Sequence, residues 1–539
     1  MKPLHITAGA RADLLVAILL TALIALLFLG APSHGEFAWS DAPRHALNGV
    51  FVKDFVTAMP WQDPAGFAYR YYAQYPALTI LFYPPLFYVV SAPFYALFGF
   101  SHPVALLVIC LHYMAFALAV YCLARRYMAV ITAGLLAATI VLLPELTFWG
   151  RQIMLEIPAL AFLLWSVVCF LAYQDKRQPR LLYWAAILLL LAMYTKITAG
   201  FMALVYLMAL IRMHGFALWR QRVLVIAALV SAVALVPLII LTLKFGQANV
   251  TSLTGIADSE VSRTSLAGWL WYARQLPAQM GWGAVLASMF GVVLLYWCRA
   301  LLAKHSADVS FLLSWLVLGY LFFSAIDLKE ARHSVFILPP VLLLAAIGLN
   351  TLGSRLQTML LLLLAAVTLW QTLLRPVHYV AGYDEAAAVI AELAPENGAV
   401  LFSGYRDGAF VFNMRTHEER RDISTVRADK LLLKVAVRRE LGVEQKSYSE
   451  DEIVRLINEA GVHYVVAQRD FWTDLEVMKR LQTVLDSNHF EEVKRIMLPA
   501  NYPAADKVLV IYRNRGALDK ATPGMQIDLP IINQSIPAR

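Results

Sequence analysis

Charge is scarce in this chain. Only 15% of its 539 residues are Asp, Glu, Lys or Arg, against roughly 25% in soluble proteins. That shortage excludes an ordinary soluble domain as the main body. Cysteine is scarcer still. All four (Cys110, Cys122, Cys169, Cys298) fall in or at the end of apolar segments and none forms a CxxC pair, so neither a disulfide framework nor a thiolate metal site is expected. Their absence from the polar loops fits an oxidising compartment. No P-loop, GxGxxG or GxSxG element occurs, and nothing points to a soluble nucleotide cofactor. His102, His112 and His214 are dispersed, without metal-ligand spacing. No basic tract with interleaved aromatics appears, so the net charge of +8 is read as membrane orientation rather than nucleic-acid binding, with a smaller share able to attract anionic lipid or phosphate. No internal repeat suggests an inverted-repeat transporter. The N-terminal apolar run, residues 14–30, lacks a small-residue cleavage site and reads as a retained signal anchor.

What the chain has instead is apolar length. Hydrophobic residues make up 60% of it. Runs of about 17 or more recur as far as Trp370, enough for a helix to cross about 30 Å of hydrocarbon. The polar punctuation predicts 11 crossings, near 14–30, 103–124, 128–147, 157–173, 181–195, 198–212, 223–243, 283–298, 309–326, 334–350 and 356–374. With the N-terminus (Lys2, Arg11) in the cytoplasm, the inner loops carry Arg125/Arg126, Lys176/Arg177/Arg180, Arg212/Arg220/Arg222, Arg299/Lys304 and Arg355. Each is short and basic, as the positive-inside rule requires.

Two segments are settled by that parity. Residues 181–212 would span about 48 Å as one helix, too long for one crossing. Both ends are basic, so the segment becomes two short spans with Thr195-Lys196 at the outer turn. Residues 84–99 are apolar, but counting them as a span would invert every later loop. Pro84, Pro85 and Pro93 also interrupt a regular helix. They read as a helix lying in the outer interface or dipping back.

From about residue 375 the composition turns charged. Helices are expected at 384–393, 450–460 and 474–488, and strands at 399–403, 462–467 and 507–512. Together they suggest an α/β domain. The tail from Gly516 reads as extended or poorly ordered. The expected organisation is a transmembrane domain over 1–375 with a first outer loop at 31–102, an outer α/β domain over 376–515, and a tail over 516–539.

Several ionisable residues fall on the outer face. Asp41, in Trp39-Ser40-Asp41-Ala42-Pro43-Arg44-His45, is placed to act as a general base at the membrane surface. A helix start reads equally from Asp followed by Pro at +2. Glu156, in Arg151-Gln152-Ile153-Met154-Leu155-Glu156, sits at the hydrocarbon edge, where an ionisable group is costly. The bland alternative is an interfacial Arg151–Glu156 pair. Lys196 either meets an anion or snorkels outward. Arg332, in Asp327-Leu328-Lys329-Glu330-Ala331-Arg332-His333, offers a bidentate fork for phosphate, or serves as an interfacial anchor. Arg263, Tyr272 and Arg274 in loop 244–282 are weaker candidates for substrate contact. Asn249-Val250-Thr251 matches a glycosylation sequon.

Taken in order, Asp41, Tyr83-Pro84-Pro85-Leu86-Phe87-Tyr88, Arg151…Glu156-Ile157-Pro158, Thr195-Lys196 and Arg332-His333-Ser334…Leu338-Pro339 resemble the bacterial GT-C glycosyltransferases. The resemblance covers roughly residues 10–375 and is narrowest to the branch of protein O-mannosyltransferases and the lipid A aminoarabinose transferase. It implies a polytopic α-helical membrane protein of GT-C type with a C-terminal periplasmic α/β domain. It also implies a polyprenyl-phosphate-linked sugar as donor, transfer with inversion at the outer face of the inner membrane, and a lipid, glycan or protein acceptor. Carried over by position, Asp41 is the base and Glu156 matches a second outer-loop acid, usually Asp. Lys196 and Arg332 match positions expected to meet donor phosphate. His45, Tyr83, Arg151, Tyr272 and His333 complete the expected substrate contacts.

The chain departs from that pattern twice. Ala42 stands where a second acid is common, which weakens a metal held by adjacent acids, so no cofactor is assigned and a divalent cation stays an open reading that no adjacent acid pair supports. Tyr83 stands where a basic residue often precedes Pro-Pro, which shifts phosphate binding to Lys196, Arg332 or Arg70. A glycolipid flippase or transporter, and a polysaccharide polymerase or ligase of related fold, are the competing readings.

Overall fold

A computed structural model describes residues 8–246, 261–435, 439, 442–518, 526–529 and 534–537. The sequon at Asn249 lies outside the described residues. Among them, eight helices are long and apolar enough to cross a membrane, or up to ten if each of two bent pairs is one span. The chain is a multi-pass membrane protein. All 11 segments expected to cross are helical at their centres, because a buried backbone without water can satisfy its polar groups only internally.

The count of crossings is where sequence and structure differ. Pro179–Thr195 has 17 residues, about 26 Å of helix, short of a full hydrocarbon thickness. Val130–Val141 and Pro144–Gly150 bend by 63°, and Leu266–Met280 and Trp282–Trp297 by 112°. Pro144 starts the second helix of the first pair, where the ring has no N–H to offer the preceding turn. At the second break Gly281 has φ +80°, a left-handed conformation that a Cβ would strain. Leu86–Phe98, the segment read as interfacial, is a 13-residue helix carrying Pro93. The helix Arg222–Phe245 leaves Leu229, Val233 and Leu243 exposed, as a lipid-facing helix does.

Ion pairs fix which helix ends lie together. Arg126 binds Asp308 at 2.9 Å and also pairs with Asp175. Asp13 accepts from Arg125 at 2.8 Å, and Arg212 donates to the Ala307 carbonyl at 3.1 Å. The basic loop residues Arg125, Arg126 and Arg212 are thus gathered at one end of the bundle. Glu156 opens the helix Glu156–Lys176 whose far end carries Asp175, so it stands at the opposite end.

The C-terminal α/β region carries the strands β1 (Ala399–Ser403), β2 (Ser424–Arg427), β3 (Leu433–Val435), β4 (Val443–Gln445), β5 (Val462–Ala467), β6 (Phe490–Met497) and β7 (Val508–Asn514). The five-stranded order is β2-β1-β5-β7-β6, and β3 and β4 form a separate pair. β2, β1 and β5 run parallel; β7 and β6 are antiparallel additions. Helices Tyr383–Leu393, Glu450–Glu459 and Glu476–Leu485 match the expected ones closely. Asp407–Thr416, β2 and β6 were not anticipated. In the tail, β8 (Gln526–Leu529) and β9 (Gln534–Pro537) pair antiparallel.

This domain and the first loop share one apolar core. Phe37, Tyr71, Tyr75, Phe100, Phe410 and Phe412 are all buried in it. Burial of such rings contributes on the order of 2 kcal/mol each.

Candidate active site

The helix Asp41–Ala58 begins at Asp41, so the helix-start reading and the functional reading of this acid coexist. Its carboxylate faces the 3-10 turn Ala331–Ile337. Arg332 Nη1 donates to Asp41 Oδ2 at 3.1 Å, and Arg332 Nε to Glu330 Oε2 at 2.5 Å. Glu156 Oε1 lies 4.0 Å from Arg332 Nε and is hydrogen-bonded by Lys196 Nζ. Four segments far apart in sequence therefore meet in one charged cluster, and each of Asp41, Glu156, Lys196 and Arg332 belongs to it. Glu156 is 1% exposed, and its Oε2 has no hydrogen-bond partner among the described residues. A buried carboxylate oxygen without a donor is costly, so the cluster has unused acceptor capacity.

Electrostatics set the protonation states around Asp41. Burial pushes its carboxyl up, but the Arg332 guanidinium, His45 and Arg44 outweigh that and hold it at about 2. His45 is lowered too, but by burial itself. Burial pushes its imidazole down to about 4 despite the nearby Asp41 and Glu156 carboxylates. At neutral pH the site thus holds an ionised Asp41 beside a neutral His45. His45 Nδ1 and the Tyr88 hydroxyl share a hydrogen bond at 3.0 Å, and the Tyr83 ring meets the imidazole at 4.8 Å.

Aromatic rings wall the cluster. The Arg332 guanidinium lies 5.2 Å from the Trp149 ring centroid, which in turn is 4.9 Å from Trp39. Trp149 is held by Glu145 at 2.6 Å, and Glu145 by Arg375 at 2.9 Å. A cation over an indole face gains about 1 kcal/mol and loses freedom to swing. His333 lies 4.0 Å from Glu330, next to the cluster. Sequence reasoning singled out neither Trp149 nor Glu330. Glu330 stood two residues before Arg332, a spacing that carries no helical signal in a 3-10 segment.

Other expectations are placed elsewhere. Arg151 does not pair with Glu156; its Nε donates to the Thr147 carbonyl at 3.0 Å and its Nη2 to the Arg375 carbonyl at 3.2 Å. The residues between them are not helical, so the two side chains diverge. Arg70 is exposed and paired with Asp63 at 3.1 Å, away from the cluster. Tyr272, by contrast, is buried against Glu330, beside the cluster, with the Lys329 ammonium 5.5 Å from its ring. Arg263 pairs with Asp327 at 3.4 Å, and Arg274 is exposed. Among the described residues, no group of three or more His, Cys, Asp or Glu is arranged to hold a metal.

Comparison with known proteins extends this picture. The family described as dolichyl-phosphate-mannose-protein mannosyltransferase matches residues 83–241, a stretch that includes Glu156 and Lys196 but neither Asp41 nor Arg332. No curated protein sequence matches. The crystal structure of ArnT from Cupriavidus metallidurans in the apo state superposes with a TM-score of 0.63 at 13% identity, covering 93% of this chain and 99% of that one. The same protein bound to undecaprenyl phosphate gives 0.58 at 14% identity, with the same coverage. The oligosaccharyltransferase AglB from Archaeoglobus fulgidus, in complex with an inhibitory peptide and a dolichol-phosphate, gives 0.55 at 14% identity over 92% of this chain and 75% of that one. The membrane helices, the first loop and the α/β domain together have the fold of the GT-C membrane glycosyltransferases, which the chain resembles.

Proposed function

We propose that this protein transfers a sugar from a polyprenyl-phosphate donor to an acceptor at the outer face of the inner membrane, with inversion and with Asp41 as general base. The convergence of Asp41, Glu156, Lys196 and Arg332 carries the reading. An acceptor oxygen attacks the anomeric carbon as the bond from that carbon to the phosphate oxygen breaks. The lipid leaves as a phosphate monoester, gaining negative charge. Arg332 and Lys196 stabilise that charge more in the transition state than in the ground state. The acceptor's hydroxyl proton passes to Asp41.

The GT-C fold supports a lipid-linked donor, since ArnT of that fold is seen bound to undecaprenyl phosphate. Orientation rests on the basic loops: Arg125, Arg126 and Arg212 gather at the end opposite Glu156, and the positive-inside rule makes that end cytoplasmic. The α/β domain then lies in the periplasm. Sugar and acceptor identity belong to the test.

Purified protein is incubated with a panel of undecaprenyl-phosphate-linked sugars and an extract of envelope lipids and glycans, and release of undecaprenyl phosphate is scored. Release by the wild type, with about 10²–10⁴-fold less from Asp41→Asn, is expected. No release with any sugar would favour the transport reading, and full activity of Asp41→Asn would remove the base.

A further inference from the structure

The α/β domain grips the segment that carries Asp41. In open α/β sheets, the crevice beyond the carboxyl ends of neighbouring parallel strands, where connections leave in opposite directions, is the usual ligand site. Here that point lies between β1 and β5, since the chain goes from β1 to β2 on one side and later to β5 on the other. The segment leaving β1 is Gly404-Tyr405-Arg406, followed by Asp407-Gly408 in the first turn of the helix Asp407–Thr416, and it contacts the membrane domain's own chain.

Three contacts bracket residues 38–44. Arg406 Nη1 donates to the Ala38 carbonyl. Asp407 takes both hydrogen bonds from Arg44 Nη2, at 2.7 and 2.8 Å. Gly408 packs so closely that an added Cβ would stand 3.1 Å from Pro43 and 3.3 Å from the Ser40 carbonyl. A buried network fixes the turn from behind. Gln468, at the end of β5, accepts from the Tyr405 amide at 2.6 Å. Asp506 accepts from Arg406 at 2.7 Å and from the Tyr383 hydroxyl at 3.0 Å. Gln468 and Tyr383 are fully buried and Asp506 is 1% exposed. Asp407 is further clamped by Arg427 at 2.6 Å.

We propose that the turn Arg406-Asp407-Gly408 is the positioning device for Asp41: the α/β domain uses its ligand-binding crevice to hold the first turn of the helix that begins at Asp41. This rests on the reading of Asp41 as base. The rigid sheet sets where residues 38–44 lie, and Arg332 then meets a carboxylate already in place. Asp407 also pairs with Arg44, one of the charges that hold the Asp41 carboxyl low. A base misplaced by about 1 Å can cost about 10²-fold in rate.

The test uses full-length protein with Asp407→Asn and, as a milder variant, Arg406→Lys. Hydrogen–deuterium exchange is followed in peptides covering residues 36–46 and in β1 and β5. Faster exchange at 36–46, at least about tenfold, with unchanged protection of the strands is expected. Unchanged exchange at 36–46 in both variants would overturn the proposal. The kinetic arm, with an undecaprenyl-phosphate sugar turned over by the wild type, should show kcat down about 10–100-fold, donor KM within about twofold, and partial rescue by Asp407→Glu. Adding Asp407→Asn to Asp41→Asn should cost little more, because both act through one carboxylate. A full additive loss would mean that Asp407 acts elsewhere. Full activity of Asp407→Asn beside an inactive Asp41→Asn would sink the positioning role and leave the base standing. An active Asp41→Asn would sink the base instead, and the exchange result would still report on the grip. Arg455→Ala, which removes only an exposed pair with Glu452 on the helix Glu450–Glu459 of the same domain, serves as the unchanged control.

Discussion

Arg332 and Asp41 hold each other at 3.1 Å, so the proposed phosphate ligand and the proposed base are partners. A donor phosphate competes with Asp41 for the same guanidinium. As Arg332 turns toward phosphate, Asp41 loses the strongest influence keeping its carboxyl low, and burial pushes its basicity up. Removing that arginine should expose the effect. In the wild type, ionised Asp41 titrates at about 2, so it imposes no acid limb on kcat/KM between pH 5 and 8. In Arg332→Gln the folded carboxyl rises, and an acid limb should enter that window on top of a loss of about 10²-fold or more. A pH–rate profile flat to pH 5 in the variant would contradict this.

His45 predicts a stability trend of opposite origin. Its folded value, about 4, lies below the ordinary 6.5 of the unfolded chain. Above pH 6.5 neither state is protonated and there is no effect. Between 6.5 and 4 the unfolded state takes up a proton that the folded state refuses, so stability falls as pH falls. Below 4 both are protonated and the loss is complete. Thermal unfolding of His45→Gln should therefore decline less over that window than the wild type's.

Lys196 and Glu156 separate structural cost from function. Breaking a buried ion pair by deleting one partner costs about 3–5 kcal/mol. Lys196→Met should lower the unfolding temperature, and Lys196→Met/Glu156→Gln should restore most of it. Activity should stay lost in both, since neither keeps the cation for the leaving phosphate. Recovery of activity in the double variant would remove Lys196 from the site.

The deepest ion pair joining the first loop to the α/β domain is Asp54–Arg415, at 2.7 Å, with Arg415 fully buried. The Asp54 carboxyl is pushed up by burial and held lower overall by Arg415 and Arg421. Arg415→Met should loosen docking, read as faster proteolysis near residues 375–382 at unchanged membrane insertion. Arg70→Ala, which removes only the exposed pair with Asp63, should leave both proteolysis and turnover within about twofold.

What sequence could reveal follows the range of each interaction. Apolar runs are local and strong, so every expected span has a helix at its centre. Bends at Gly281 and Pro144 depend on neighbouring helices, and apolar runs do not show them. β1 is buried throughout and β5 is buried except for the half-buried His463, so both read as largely apolar runs, and their expected bounds match the structure. β6 alternates poorly, with Glu491, Glu492, Lys494 and Arg495 along an edge, and was invisible. Asp407–Thr416 is buried nearly all round, which leaves no helical stripe to read. Asp41 could be singled out by its place after the first span. Its hold by Asp407, through Arg44, could not, because partners more than 360 residues apart leave no local trace.

The Arg126–Asp175–Asp308 cluster has a consequence for how the site can adapt. It fastens the helix Glu156–Lys176 to its neighbours at the end remote from Glu156. That helix has 21 residues and is about 31 Å long. A one-ångström displacement at Glu156 is then a tilt of about 2° about a fixed pivot. Sliding the helix along its axis would tear three charges apart. Under the proposed function, accommodation of a lipid headgroup would be angular and would leave the end of the bundle that holds Arg126 still.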